Sequence, residues 1–274
     1  MQRYPHLKCL AVVPAYNEGA TIIKVVEDLR EHAPDFDVLV VDDGSTDDTR
    51  RIAESTGVRV LRLPYNLGIG GAVQAGFVFA AEHGYERMVQ VDGDGQHDPA
   101  EIHKLMDKMG SEAAPDVVCG SRFLTSEHEY PAPISRRTGI HIFAFVCSRI
   151  VGQRVSDPTS GFRLCNRRAI ALFARDYPHD YPEVEAILML HAHRLKIHEV
   201  HVKMNARGFG ESSIDYMSAA YYMVKVMLAI FIGLLRRRPV PNAGDLPQPG
   251  EFAGVAPGAA SAGASASSRE GEGR

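Results

Sequence analysis

Residues 88–98 read Met-Val-Gln-Val-Asp-Gly-Asp-Gly-Gln-His-Asp, a short apolar run that breaks into two aspartates separated by one glycine. The run has the length of a strand, and the break is rich in turn formers, so 88–91 is expected as a strand ending in a polar loop. Pro99 then stands at a first helical turn with Asp98 as its cap, which predicts a helix over Pro99–Met109. The same grammar recurs upstream. Lys8–Val13, Val38–Val41 and Val58–Leu63 predict strands, and Thr21–His32, Asp47–Ser55 and Ala72–His83 predict helices between them. Strands alternating with helices form right-handed βαβ units, so the expected class is α/β: a Rossmann-like, mostly parallel sheet with helices on both faces.

Ligands of such sheets bind beyond the carboxyl ends of the strands, where strand order reverses. Three polar clusters stand at expected strand ends: Pro14-Ala15-Tyr16-Asn17-Glu18, Asp42-Asp43-Gly44-Ser45, and Asp92-Gly93-Asp94-Gly95-Gln96. A strand order of 3-2-1-4 brings all three into one crevice. Asp-Gly-Asp alone is more often a turn than a metal site, and Asp42-Asp43-Gly44 alone is also a turn signal. Three clusters at one sheet edge reverse that preference. Asp92 and Asp94 can hold a hard cation against diphosphate oxygens, with Gly93 keeping the backbone slim for close approach by a ligand. Asp43 is placed to accept hydrogen bonds from a base, Tyr16 to offer it an aromatic face, and Glu18 to order the loop through backbone amides. The run Gly68-Ile69-Gly70-Gly71 fails as a dinucleotide fingerprint, because it follows the third strand and Val73 stands where the third glycine belongs. It reads instead as a small-residue entry to the helix near Ala72, with Asn66 shaping the turn.

Downstream, Val117–Gly120 predicts a strand, Ser135–Val151 a helix, Asp157–Arg163 a loop and Glu183–His193 a helix, within a less regular half suited to binding an acceptor. The stretch 214–238 is strongly apolar and ends in Arg236, Arg237 and Arg238, whereas 239–274 is rich in Pro, Gly, Ala and Ser and is expected to be a disordered tail. The expected organisation is therefore a catalytic domain over 1–213, an apolar helix over 214–238 and the tail. A polar-to-small stripe of Asp215, Ser218, Tyr222, Lys225, Ala229, Gly233 and Arg236 suits a helix lying in the plane of a membrane; spanning it, or burial against the domain, a partner or a second copy, are the alternatives. The three arginines then face anionic headgroups, placing the protein at the cytoplasmic face of the membrane.

A formal net charge of −4 gives no general attraction to nucleic acid. Cys9, Cys119, Cys147 and Cys165 lack any paired short spacing, which argues against a zinc site and a disulfide framework and fits a reducing compartment.

The ordered set Pro14–Glu18, Val40–Thr46, Asn66–Gly76 and Val91–Asp98 resembles family 2 glycosyltransferases, within them the polyprenyl-phosphate (dolichyl-phosphate) mannosyltransferase and glucosyltransferase branch. The resemblance implies a GT-A fold, a nucleoside diphosphate sugar donor, Mg²⁺ or Mn²⁺, and inversion at the anomeric carbon. It implies that Asp92, Asp94 and Gln96 form the metal and diphosphate motif, and that Pro14, Tyr16, Glu18 and Asp43 occupy nucleoside-binding positions. Gly120-Ser121-Arg122, Arg136-Arg137, the stretch Asp157–Arg163 and the stretch Arg207–Ser213 also resemble that branch. Arg122 and Arg207 are candidate ligands of the diphosphate or of an acceptor phosphate, since guanidinium gives bidentate support. Ser213 departs from the branch, which commonly has Lys there.

The expected reaction is hexose transfer to a polyprenyl phosphate or a membrane glycolipid or polysaccharide precursor. A phosphate acceptor attacks as an anion, whereas a sugar hydroxyl needs a base, for which Glu183, Glu185 and Asp157 are candidates in that order. The alternatives are transfer to a hydroxyl with Glu183 as base, a metal-dependent nucleotidyltransferase, and an inactive nucleotide-sugar-binding scaffold.

Overall fold

The computed structural model describes residue 4, residues 6–125, 134–179 and 181–205, and Lys225 and Leu228; over 134–138 it describes the backbone alone. The expected apolar helix over 214–238, apart from those two residues, and the expected tail lie outside the described residues, as does Arg207.

β1 (Cys9–Ala15), β2 (Phe36–Asp42), β3 (Arg59–Arg62) and β4 (Arg87–Gln90) are separated by α1 (Ile22–His32), α2 (Thr49–Ser55) and α3 (Gly68–Glu82). They lie parallel in the order β3-β2-β1-β4, with Ala15 beside Asp42 and Val12 beside Gln90. The sheet continues through β6 (Arg163–Asn166), β5 (Val117–Ser121) and β7 (Ile197–His201); β6 runs antiparallel to β4 and β5, and β7 parallel to β5. This mostly parallel, helix-flanked sheet is the GT-A arrangement expected.

Side chains alternate between two cores. Cys9, Ala11 and Val13 pack with α1 and with α4 (Ile102–Met109), while Leu10 and Val12 pack with α3, α5 (Ile134–Val151), α6 (Arg167–Arg175) and α7 (Pro182–Ala192). Asp98 caps the turn ahead of α4 as expected, its Oδ1 accepting from the Ala100 amide at 2.9 Å.

Two expectations need correcting. α3 begins at Gly68, so the glycine run lies inside the helix and not ahead of it. The reason is packing: a Cβ on Gly70 would meet the Pro178 carbonyl oxygen at 2.6 Å. Asn66 does shape the turn, accepting from the Gly68 amide at 2.8 Å. The second half also holds three elements not expected from the sequence: β6, α6 and β7. β6 has four residues with Arg and Asn at its ends, and three of the five residues of β7 are polar.

Candidate active site

Three strands deliver their loops to one edge. β1 ends beside β2, and the backbone beyond β4 stays with β1, Val91 donating to the Val12 carbonyl at 2.9 Å and Gly93 to the Pro14 carbonyl at 3.3 Å. The loops are then tied crosswise. Asn17, at φ 58°, donates its amide to Ser45 Oγ at 3.0 Å, and its side-chain oxygen accepts from the Thr46 and Asp47 amides at 2.8 and 3.3 Å. Gly44, at φ +70°, lies so close to the next loop that a Cβ would meet Tyr65 and Asn66 backbone at 2.7–2.8 Å. The crevice floor is therefore held by contacts far apart in sequence.

Within it, Asp92 is braced twice. Gln90 Nε2 donates to its Oδ1 at 2.9 Å, and its own amide donates to His97 Nδ1 at 3.0 Å. Nδ1 is then the acceptor nitrogen, so in the neutral ring Nε2 carries the proton, and it stands 3.6 Å from Asp92 Oδ2. His97 is buried and stacked on Phe162 with centroids 4.9 Å apart. Asp94 is also buried, its Oδ1 accepting from the Gln96 amide at 3.0 Å. The Gln96 carbonyl in turn accepts from the Asn205 amide at 2.9 Å. Asn205 stands two residues before Arg207 in the chain.

Gly93 has a different job from the one expected of it. The space where a Cβ would sit is filled by the protein itself, with the Pro14 carbonyl oxygen at 3.0 Å and Glu18 Cγ at 3.4 Å. The glycine lets β1 and β4 loops meet, rather than clearing room for a ligand. Glu18 lies at this junction too: Thr21 Oγ1 is 3.2 Å from Glu18 Oε2 and donates to the Gly93 carbonyl at 2.6 Å.

Pro14 is buried in β1, and Tyr16 is exposed at the rim. Asp43 is buried, and Oδ1 accepts from the Leu67 amide at 2.7 Å. Burial raises its carboxyl above the ordinary range, opposed by the Leu67 and Gly68 amides. It therefore anchors the start of α3 as well as facing the crevice edge.

On the β5 side, Arg122 and Asp157 form a buried bidentate pair. Nε donates to Oδ2 at 2.7 Å and Nη2 to Oδ1 at 2.9 Å, while the Arg122 amide and the Thr159 hydroxyl add further bonds to the same carboxylate at 3.2 and 3.0 Å. With both oxygens so engaged, Asp157 is a clamp on Arg122, and this arrangement does not suit the base role expected as third choice. Glu183 and Glu185 open α7. Glu183 keeps some accessible surface but is otherwise enclosed; burial drives its carboxyl up, Arg163 opposes this, and Asp92 adds repulsion. Arg163 is buried beneath, donating to the Glu183 carbonyl and, at 3.0 Å, to the Ser160 carbonyl, while its Nη1 has no hydrogen-bond partner. Among the described residues no three His, Cys, Asp or Glu side chains are arranged to enclose a metal ion.

Gln90, Asn17, His97 and Arg163 were not singled out by sequence reasoning. None carried a signal of its own, although Gln90 and His97 stand inside the stretch that decides the fold, Asn17 inside the cluster at the end of β1, and Arg163 at the end of the Asp157–Arg163 stretch.

The family model for glycosyl transferase family 2 matches residues 10–173. An undecaprenyl-phosphate mannosyltransferase of Micrococcus luteus is 33% identical, the match covering 57% of this chain and 65% of the relative. A UDP-N-acetylglucosamine–dolichyl-phosphate N-acetylglucosaminyltransferase of Methanococcus voltae is 29% identical over 70% of this chain and 83% of the relative. The fold is shared with glucosyl-3-phosphoglycerate synthase from Mycobacterium tuberculosis, solved with Mn²⁺, uridine diphosphate and glucosyl-3-phosphoglycerate: TM-score 0.64 and 21% identity over 88% of this chain and 83% of that one. The chain belongs to glycosyl transferase family 2, which decides against the nucleotidyltransferase reading.

Proposed function

We propose that this family 2 glycosyltransferase moves a hexose from a nucleoside diphosphate sugar to a polyprenyl phosphate, with inversion, at the cytoplasmic face of the membrane. The observation that carries the proposal is the facing of two charge sets across one sheet edge: Asp92 and Asp94 beyond β4, and the buried Arg122–Asp157 clamp beyond β5. The names of the relatives support the acceptor class. Their sugars differ, and the hexose is left open.

The donor set fits a divalent ion held partly by substrate. Two carboxylates one residue apart suit Mg²⁺ or Mn²⁺ bound together with the substrate. Asp92 and Asp94, with Gln96, would hold the ion. Bound there, it neutralises charge on the departing diphosphate. Gln90 and His97 keep Asp92 from turning away. Asp43 and Tyr16 face the nucleoside. Arg122, held by Asp157, and Arg207 bind the acceptor phosphate. Its oxygen attacks the anomeric carbon opposite the leaving group; a C–O bond forms, the glycosyl–phosphate bond breaks, and the nucleoside diphosphate leaves. No proton has to be removed first.

A second reading, transfer to a sugar hydroxyl, is favoured by one observation: Glu183 is enclosed, raised in pKa, and close enough to Asp92 to feel its charge. There it takes the hydroxyl proton. A screen of UDP-, GDP- and dTDP-sugars with Mn²⁺, with and without polyprenyl phosphate, separates the two. Nucleoside diphosphate release only with the lipid, abolished by EDTA and by Asp94→Asn, is expected. Turnover with a sugar hydroxyl and none with the lipid overturns the proposal.

A further inference from the structure

We infer that Glu199, on the outermost strand β7, is a positioning residue that holds Arg122 ready for the acceptor; the inference rests on Arg122 binding the acceptor phosphate as proposed above. β7 pairs with β5 so that Glu199 lies beside Cys119, three residues before Arg122. Its carboxylate turns toward the 156–157 turn. Oε2 accepts from the Ser156 amide and hydroxyl, both at 2.8 Å, and Oε1 from the Asp157 amide at 3.1 Å.

These bonds reach Arg122 by two routes. Through the backbone, Glu199 fixes Asp157, whose carboxylate takes the Arg122 amide, Nε and Nη2. Through Ser156, whose Oγ is 2.6 Å from Ser121 Oγ, it fixes the end of β5; that Ser121 oxygen also accepts from the Phe123 amide at 3.2 Å. The residues on both sides of Arg122 are therefore tied to the same brace. A Glu on an edge strand ordinarily faces water. Here its two oxygens collect donors from a loop on another element, which a carboxylate can do and a primary amide, with one acceptor oxygen, cannot match. With Nε and Nη2 turned to Asp157 and Thr159, a phosphate is met through Nη1, whose direction the clamp sets, and misplacement by about 1 Å costs on the order of a hundredfold in rate. Glu199 itself need not touch substrate; it acts through Ser156 and Asp157.

The test is steady-state kinetics of the full-length Glu199→Gln, Glu199→Ala and Ser156→Ala variants beside Arg122→Lys, with polyprenyl phosphate and the accepted donor sugar. The expected result for Glu199→Ala is a rise in KM for polyprenyl phosphate of about tenfold or more, with donor KM and Mn²⁺ dependence unchanged. Glu199→Gln should fall between it and the unaltered protein, because one acceptor oxygen survives. Parallel changes in donor and acceptor KM, or a change in donor KM alone, mean a general structural brace and overturn the inference. If Glu199→Ala does not fold, Glu199→Gln and Ser156→Ala carry the same comparison. Arg122→Lys keeps the charge but loses the fork. No change in its acceptor KM removes the phosphate role of Arg122 and the inference with it. A change there without one in the Glu199 and Ser156 variants sinks the inference alone.

Discussion

Glu183 is where the two acceptor chemistries part, and its titration exposes it to measurement. Burial and the Asp92 charge raise its carboxyl above the ordinary value of 4.5, against the pull of Arg163. A carboxyl that binds its proton more tightly folded than unfolded stabilises the fold when protonated, and that stability is lost as pH rises from the unfolded value toward the folded one. Glu183→Gln removes this dependence. Its melting temperature relative to the unaltered protein should therefore climb as pH increases above about 4.5, and a difference flat with pH would show that the side chain is not held in its enclosed, raised state. If lipid phosphate is the acceptor, the same variant keeps most of its turnover. At this scale the aspartates were legible, since Asp92, Asp94 and Asp43 stand where apolar runs break. Gln90 and His97 were not, because a single amide or imidazole two or five residues from Asp92 forms no recognisable pattern, and Asn17 was not, because only the fold brings the 45–47 loop to it. The role of Gly93 was misread for the same reason: its neighbours Pro14 and Glu18 are distant in the chain.

Elements were legible in proportion to how much of their signal is local. β1 and β4 are almost wholly buried and read as apolar runs, β2 is more exposed only near its start, β3 keeps an apolar centre between exposed ends, and the places and order of all four were foreseen with end shifts of a residue or two. α3 was begun too late because glycine argues against helix, and only its tight packing on the Pro178–His179 segment shows why glycine is tolerated. β6 and α6 were missed although one residue marks their junction. Asn166 ends β6 and caps α6, its side-chain oxygen accepting from the Arg168 and Ala169 amides at 2.9 and 3.1 Å while Nδ2 donates to Asp116 at 2.9 Å. Asn166→Ala removes the cap and one partner of a buried carboxylate, so a loss of about 1–2 kcal/mol is expected in urea unfolding. Because the junction lies away from the crevice, kcat should hold. A loss of activity with no loss of stability would assign Asn166 to the site instead.

At the scale of the whole molecule, the division between legible and illegible follows the division of labour. The donor half is built from parallel βαβ units, and one hydrophobic pattern specifies both its fold and the edge where ligands collect. The acceptor half is assembled from an antiparallel strand, an edge strand and loops fixed by side-chain bonds such as Arg122–Asp157, none of which leaves a period in the sequence. Among the described residues no helix is long and apolar enough to cross a membrane. We propose that 214–238, apolar and closed by three arginines, meets the membrane, while 239–274 has little to bury. Two truncations separate these parts. Ending the chain after Arg238 should leave melting temperature, donor turnover and binding to anionic vesicles unchanged. Ending it after Ser213 keeps Tyr16, Asp43, Asp92 and Asp94, so nucleotide binding should persist, while co-sedimentation with anionic vesicles falls and the KM for polyprenyl phosphate rises. Vesicle binding that survives the shorter truncation would move the membrane contact onto the catalytic domain, since no other apolar, basic-ended stretch is left in the chain to provide it.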